Sequence, residues 1–363
     1  MRGDDCLMHK YSKTRFMRVG SFYLIILAAI ALVSVDAVRS AQEGTAVDGT
    51  LEAARSRGFV NCGVNAGVAG FAIADKEGNW SGLDIDFCAA LATAVFGKRD
   101  AVKYIPLKIG NAFRALATGD VDVLARGRSW TLSRDTELGV SFAGVTFYDG
   151  LGFLARRNQV ISSVFALSGA SICVVTGTQA VRSVSDFFQS RKMTFQLVKS
   201  ESWKDLVEIY GKGGCTVLAG ESAMLATARL QLERPDDHTI LPELISKEPL
   251  GPVVRADDNR WFSIVRWTLM ALVAGEELGL SNENIAAMRG SKILAIRRFM
   301  GIEANLGVPL GLEKDWAYQV IRQVGNYGDI FVRNLGAKSK LGLQRGLNKL
   351  WNQGGLHYSA PFR

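Results

Sequence analysis

Histidine and proline are scarce in this sequence of 363 residues, which contains three His and seven Pro. Motifs of common hydrolase and nucleotide-binding sites are missing as well: there is no G-x-S-x-G elbow, no H-E-x-x-H zinc motif and no P-loop. Outside the N-terminal region the histidines are His238, in a polar stretch, and His357, near the C-terminus. Because neither has a paired nucleophile, we expect both to be surface residues and the protein not to be an enzyme.

Long apolar runs are missing too, apart from one at residues 19–35. Five Lys or Arg residues precede this run and small residues follow it, which is typical of a secretory signal peptide. The run is about 17 residues long, at the lower limit for crossing a bilayer. We therefore expect residues 1–37 to be a cleaved signal peptide and the mature protein to be periplasmic. The alternative is a retained membrane anchor.

No block of basic residues is present, although the formal net charge is +8. The expected signal peptide carries five basic and three acidic residues, so the remaining chain has a net charge of +6. This charge is spread along the sequence without interleaved aromatic residues, which is not the pattern of a nucleic-acid-binding surface. We expect no nucleic-acid partner.

Four cysteines follow the expected signal peptide: Cys62, Cys88, Cys173 and Cys215. Their wide spacing and the shortage of histidine argue against a zinc site, so we expect no metal and no cofactor. An even number of cysteines in an exported chain favours disulfides, and four cysteines allow three pairings. Sequence order favours Cys62–Cys88 and Cys173–Cys215; free thiols in the core are the alternative.

Strand-like and helix-like segments alternate from about residue 58, which predicts an α/β fold with a mainly parallel sheet. The alternation restarts after residue 153 and a return segment begins near residue 249. We expect a first lobe of residues 51–152 plus 250–363, including a helical C-terminal extension, and a second lobe of residues 153–249. Two chain crossings between lobes would form a hinge, and the cleft between them is the natural ligand site.

The segment 128–139, RSWTLSRDTELG, follows a predicted strand and resembles the start of a helix. Thr131 or Ser133 could cap that helix. Capping does not account for Arg134, because the positive end of the helix dipole disfavours a cation. An arginine there is better explained by an anionic ligand, since its guanidinium can hold a carboxylate through two hydrogen bonds. Ser129 could complete this carboxylate site.

The predicted second lobe contains complementary features. Gly177 and Thr178 lie at a strand-to-helix turn, where helical N–H groups suit a carboxylate. Glu221 lies between another strand and its helix, where it could accept hydrogen bonds from an ammonium group. Together with Arg134 these residues suggest an α-amino-acid site; simple helix capping is the alternative explanation.

Several longer motifs resemble one protein family over most of the chain, from about residue 58 to the C-terminus. They read GNWSGLDIDFC, SWTLSRDTELGVSFAGVTFYDGLGF, ILPELISKEPLGPVVR, DWAYQVIRQVGNYGDIF and GLNKLWNQGGLHYSAPFR. These motifs are similar to those of the periplasmic general L-amino-acid-binding proteins of polar amino-acid ABC transporters, in extracellular solute-binding family 3. The resemblance implies the type II periplasmic-binding fold, with two lobes and a two-crossover hinge. It also implies two disulfides at the four matching cysteines.

The resemblance also implies a ligand, partners and site residues. The ligand is an L-amino acid, the partners are the membrane permease subunits, and we expect a monomer. Arg134 matches the arginine that clamps the ligand α-carboxylate, Ser129 a hydroxyl contact and Thr178 the second-lobe carboxylate contact. Glu221 stands where the family usually has the Asp that holds the α-ammonium. Phe71 lies in the loop that covers the ligand side chain in relatives.

Two stretches depart from the family pattern: Arg126-Gly127-Arg128-Ser129-Trp130, where relatives read Arg-Asn-Thr-Thr-Trp, and Glu221-Ser222-Ala223-Met224, where they read Asp-Gln-Ser-Gly. Gly127 and Arg128 replace Asn and Thr before the clamp, and Glu221 replaces Asp. Gly127 is retained as a ligand-binding position. The departures concern the preferred amino acid more than the fold.

Two other function classes fit the same scaffold. A periplasmic enzyme, such as a cyclic-carboxylate dehydratase, would need a proton-transfer group in the cleft, and Glu221 is the candidate. A sensory ligand-binding module would share the fold but is usually attached to a signalling domain.

Overall fold

The computed structural model describes residues 49–65, 67–157 and 161–363. The expected signal peptide at residues 1–37 lies outside these residues. Among the helices in the described ranges, none combines the length and the apolar character needed to span a bilayer.

The described residues form strands and helices in alternation, as the sequence predicts. The strands are β1 Val60–Val64, β2 Ile73–Ala74, β3 Trp80–Ser81, β4 Val102–Pro106, β5 Val123–Ser129, β6 Val140–Phe142, β7 Phe147–Asp149, β8 Leu151–Arg156, β9 Ala170–Val175, β10 Phe195–Ser200, β11 Val217–Glu221, β12 His238–Ile240 and β13 Glu248–Arg255. The helices are α1 Thr50–Arg57, α2 Leu83–Phe96, α3 Ala112–Ala117, α4 Leu132–Glu137, α5 Gln179–Ser190, α6 Trp203–Gly211, α7 Ser222–Gln231, α8 Asn259–Glu277, α9 Leu294–Phe299, α10 Trp316–Val324 and α11 Tyr327–Asn334.

Two larger sheets organise these elements. The first has the strand order β4-β1-β5-β13-β6, with β7 also paired to β13; the second has the order β10-β9-β11-β8-β12. In the first sheet β1 runs parallel to β4 and β5, and in the second sheet β9 runs parallel to β11. The strand that returns from the other sheet, β13 or β8, is antiparallel to its neighbours. The α/β prediction is confirmed. The lobe boundaries at residues 152 and 250 stay a prediction.

The core of the first lobe is built around α2, which is buried along almost its whole length. Beyond Asp84 and Asp86 in its first turn, this helix is apolar on every side, so it needs cover all round. The sheet supplies one wall, and α8, α10 and α11 of the C-terminal region pack on the others. The helical C-terminal extension is thus part of the first-lobe core.

The two chain crossings touch each other at Gly150 and Ser246. A Cβ added to Gly150 would lie 2.3 Å from the Ser246 carbonyl oxygen. The Ser246 hydroxyl accepts a hydrogen bond from the Leu151 N–H at 3.0 Å, and the Ile245 N–H donates to the Leu151 carbonyl at 2.8 Å. The crossings are therefore held side by side by backbone contacts that only glycine permits.

Both cysteine pairs favoured by sequence order are confirmed. Cys62 of β1 is bonded to Cys88 of α2, and Cys173 of β9 is bonded to Cys215, just before β11. All four residues are buried. Each disulfide joins elements of one sheet and its covering helices, so each constrains one half of the molecule.

The expectation that His238 and His357 lie on the surface is wrong. His238 is 8% exposed and its Nδ1 lies 2.8 Å from the Tyr210 hydroxyl. His357 is 3% exposed, with its ring centroid 4.0 Å from that of Tyr327. Burial, together with the nearby Arg345, lowers the pKa of His357 to about 3. A neutral imidazole packs among aromatic rings, and no sequence pattern marks that environment.

Gly150→Ala tests the contact between the crossings. We expect it to lower the free energy of unfolding by about 1–3 kcal/mol, because the new methyl group overlaps the Ser246 carbonyl. Denaturant unfolding of both proteins measures this. Gly290→Ala is the matched control, since its Cβ would meet nothing within 4 Å. Equal stability of the two variants would contradict the prediction.

Removal of the second disulfide tests its contribution to stability. For Cys173→Ala/Cys215→Ala we expect a loss of about 2–4 kcal/mol, because the unfolded chain gains entropy when a cross-link across 42 residues is lost. Urea unfolding under non-reducing conditions is the measurement. A variant as stable as the parent protein would show that the bond does not constrain the unfolded chain.

Candidate ligand-binding site

A cavity of about 170 Å³ opens at one edge of the second sheet. Its apolar wall consists of Leu151, Val175, Ala180, Trp203, Ala219 and Met224. Its polar groups come from Thr178, Gln179, Ser183, Glu221, Ser246 and Glu248. An apolar wall with a few converging polar groups is typical of small-molecule sites.

Parallel strand pairing brings Thr178 and Glu221 to this cavity. β9 and β11 are parallel neighbours, so their carboxyl ends lie at the same edge of the sheet. Thr178 is the N-cap of α5, and its hydroxyl donates to the Val175 carbonyl at 2.8 Å. Glu221 ends β11 and is the N-cap of α7. The first-turn N–H groups of α5 and the Glu221 carboxylate thus border one space.

Negative charge is concentrated around this cavity. Burial, the largest cause, and the nearby carboxylates of Asp149 and Glu248 together raise the pKa of Glu221 to about 7, although part of the side chain stays exposed. Asp149 is buried and accepts hydrogen bonds from the Ser222 N–H at 3.2 Å and the Ser222 hydroxyl at 2.5 Å. Glu248 pairs with Asp149 in the β-ladder. A ligand cation would relieve the repulsion among these groups.

The predicted clamp lies at the end of β5 in the first sheet. Thr131 is the N-cap of α4 and accepts the Arg134 N–H at 3.4 Å, as the sequence suggests. The Arg134 guanidinium is half-buried and donates through Nη1 to the Ser129 carbonyl at 2.7 Å. Of the five N–H donors of the guanidinium, this bond uses one. The side chain is thereby oriented while it keeps donors for a carboxylate.

Gly127 occupies an irregularity in β5. Its φ is +58°, and residues 125–127 lie opposite the single residue Pro252 in the pairing with β13. This left-handed conformation favours Gly or Asn. The Gly in place of the family's Asn therefore preserves the backbone, and Gly127 contributes only backbone groups to any ligand contact.

Strand β13 connects the clamp to the cavity. Leu250 lies opposite Ser129, and Glu248 lines the cavity only two residues earlier. Two residues of strand span about 7 Å. The clamp and the cavity thus lie close together along one strand, although Arg134 and Ser129 do not themselves line the cavity.

Phe71 is not brought to this cavity. It is 4% exposed, belongs to the first-lobe core and packs edge-on against Phe147 with ring centroids 5.1 Å apart. Its role over the ligand side chain stays a prediction. Apolar aromatic residues in glycine-rich loops fit a core or a ligand pocket equally well, so sequence alone does not distinguish the two.

Trp203, Met224 and Glu248 line the cavity, although sequence reasoning did not single them out. Trp203 is the first residue of α6, and its ring covers Gly220, where a Cβ would lie 2.6 Å from Cη2. Glu248 falls inside ISKEPLGPVVR, part of a motif that resembles the family, and that resemblance was the sequence feature that could have identified it. Nothing local marks Trp203, because its role depends on packing between β11 and α6.

A larger surface cavity of about 590 Å³ lies elsewhere on the second lobe, beside Arg156 and His238. Because β8 runs antiparallel to β11, the end of β8 at Arg156 lies at the edge opposite Glu221. None of the predicted ligand-binding residues lines this cavity. The smaller cavity is therefore the candidate site.

Comparison with known proteins points to one family. Residues 60–284 match the bacterial extracellular solute-binding proteins, family 3. The chain is 45% identical over 341 residues to the general L-amino acid-binding periplasmic protein AapJ of Rhizobium johnstonii, covering 93% of this chain and 99% of that protein. It is 44% identical over 321 residues to the glutamate/glutamine/aspartate/asparagine-binding protein BztA of Rhodobacter capsulatus, covering 88% and 95%.

A solved structure supports the same conclusion. The ABC transporter periplasmic binding protein of Brucella ovis, with glutathione bound, is 46% identical and superimposes with a TM-score of 0.76, covering 87% of this chain and 99% of that one. The expected type II periplasmic-binding fold and the expected family are confirmed. The chain belongs to the bacterial extracellular solute-binding proteins of family 3.

Proposed function

We propose that this protein is the periplasmic solute-binding component of an ABC transporter, which captures L-α-amino acids and delivers them to a membrane permease. The observation that carries the proposal is that opposite charges lie close together along β13. The Arg134 guanidinium is bonded to Ser129, which lies opposite Leu250 of β13, and the Glu221 and Glu248 carboxylates lie in the cavity at the start of this strand. An α-amino acid carries the complementary carboxylate and ammonium groups.

Binding would proceed by closure of the two lobes without covalent chemistry. Arg134, Ser129 and the N–H groups beside Thr178 would hold the α-carboxylate. Glu221 would accept hydrogen bonds from the α-ammonium. A ligand that touches both lobes stabilises the closed form in proportion to the contacts it gains there. The permease would then recognise the closed form.

The ligands named for three relatives share one chemical unit. AapJ is named for general L-amino acids, BztA for glutamate, glutamine, aspartate and asparagine, and the Brucella protein contains glutathione. The γ-glutamyl end of glutathione also carries an α-ammonium and an α-carboxylate. Recognition of this unit by Arg134 and Glu221 is consistent with all three.

The relatives do not favour the enzyme alternative, because they are named as binding components of transporters. Cleavage of residues 1–37, a monomeric state and the absence of a nucleic-acid partner stay predictions.

Arg134→Ala tests the carboxylate clamp. We expect the affinity for L-amino acids to fall at least about 100-fold, because removal of one partner of a buried charge pair costs about 3–5 kcal/mol. Isothermal titration calorimetry measures the affinity, and cooperative thermal unfolding checks the fold. Arg322→Ala, an exposed residue of α10, is the control and should bind normally. Unchanged affinity in Arg134→Ala would overturn the site assignment.

The pH dependence of binding tests Glu221. Because its pKa is raised to about 7 in the free protein, a proton competes with the ligand ammonium below that pH. Over the pH range in which the ligand ammonium stays protonated, we expect the affinity to fall by up to about tenfold per pH unit below pH 7, the limit for one competing proton. Glu221→Gln should bind more weakly and lose this dependence. An identical pH profile in both proteins would exclude Glu221 as the ammonium acceptor.

A further inference from the structure

Arg128 is the penultimate residue of β5, between Gly127 and Ser129. Its guanidinium carbon lies 5.1 Å from the ring centroid of Phe113. Phe113 is in the first turn of α3, which follows β4, and β4 and β5 both pair in parallel with β1. The Arg128 guanidinium therefore lies at the carboxyl-end edge of the first sheet, the edge that carries Arg134.

The neighbours of Arg128 include the Phe113 ring and two other arginines. The side chain is half-buried, and its Nε has no hydrogen-bond partner among the described residues. Burial, the largest cause, and the nearby Arg134 and Arg126 together lower its pKa to about 10. The buried carboxylate of Asp84 acts on Arg126 instead. Within the described ranges, Arg128 thus has two cationic neighbours and no salt bridge to an acid.

This arrangement is unfavourable unless an anion enters the site. A half-buried cation beside two others is destabilised by desolvation and by repulsion. The Phe113 ring limits the motion of the guanidinium plane and so prepares it for a planar partner. Arg134 accounts for one carboxylate, the α-carboxylate of the proposed ligand, which leaves Arg128 suited to another.

We propose that Arg128 binds a second carboxylate, and that the protein prefers α-amino acids with an acidic side chain, such as glutamate and aspartate. This inference rests on the proposed function and narrows its ligand class. The cavity carboxylates Glu221 and Glu248 hold the α-ammonium, Arg134 holds the α-carboxylate on the same carbon, and Arg128 holds the carboxylate at the end of the side chain. A neutral side chain leaves Arg128 without its anion, so selectivity follows from an unpaired charge.

Paired titrations with L-glutamate and L-glutamine test the proposal, because the two ligands differ mainly in one charge. We expect the unmodified protein to bind glutamate at least about tenfold more tightly, the scale of a charge-assisted hydrogen bond. Arg128→Met should lose at least about tenfold in glutamate affinity while glutamine affinity changes less than about twofold. Arg128→Lys should keep a reduced preference for glutamate. It replaces Arg128→Met in the comparison if the methionine variant fails to fold. Arg322→Met is the matched control.

The outcomes separate this inference from the proposed function. Equal binding of glutamate and glutamine by the unmodified protein would overturn the role of Arg128 and leave amino-acid binding standing. Equal losses of glutamate affinity and glutamine affinity in Arg128→Met would show that the arginine acts by packing on Phe113. This result would also overturn its role in binding a second carboxylate. Failure of the unmodified protein to bind any L-amino acid would overturn the proposed function itself.

Discussion

The antiparallel strand β13 is the constraint on which the arrangement of the site depends. It leaves the second lobe at Glu248 and pairs with β5, β6 and β7 of the first sheet within eight residues. Close contact between Gly150 and Ser246 fixes the two crossings side by side. A short shared strand sets the distance between the cavity and the clamp, while rotation about the crossings leaves the lobes able to close.

Charge is divided unequally between the clamp and the cavity. Arg126 and Arg128 lie near Arg134 at the clamp, whereas Asp149 and Glu248 lie near Glu221 at the cavity. Within each group like charges disfavour one another, and this adds to the effect of burial in lowering the pKa of Arg128 and in raising the pKa of Asp149 and of Glu221. A zwitterionic ligand would relieve both groups at once.

The C-terminal extension supports this arrangement from outside the cleft. Asn348 bonds to both the backbone N–H and the carbonyl of Tyr148, at 2.7 and 3.0 Å, and so fixes β7 just before the first crossing. Arg229 of α7 donates to the Leu341 carbonyl at 2.7 Å. The extension therefore contacts elements of both sheets. Its helices also cover α2, which has no polar face to present to water.

The sequence by itself determined the elements, the two α/β cycles, the cysteine pairs and the short capped helix that carries Arg134, because local pattern and residue spacing encode these features. Only the tertiary structure decided which side chains meet. It buried Phe71, His238 and His357, placed Trp203 and Glu248 in the cavity, and left Arg128 among cations. Burial and charge environment depend on which faces pack together across long sequence separations, and single-residue patterns carry no record of that.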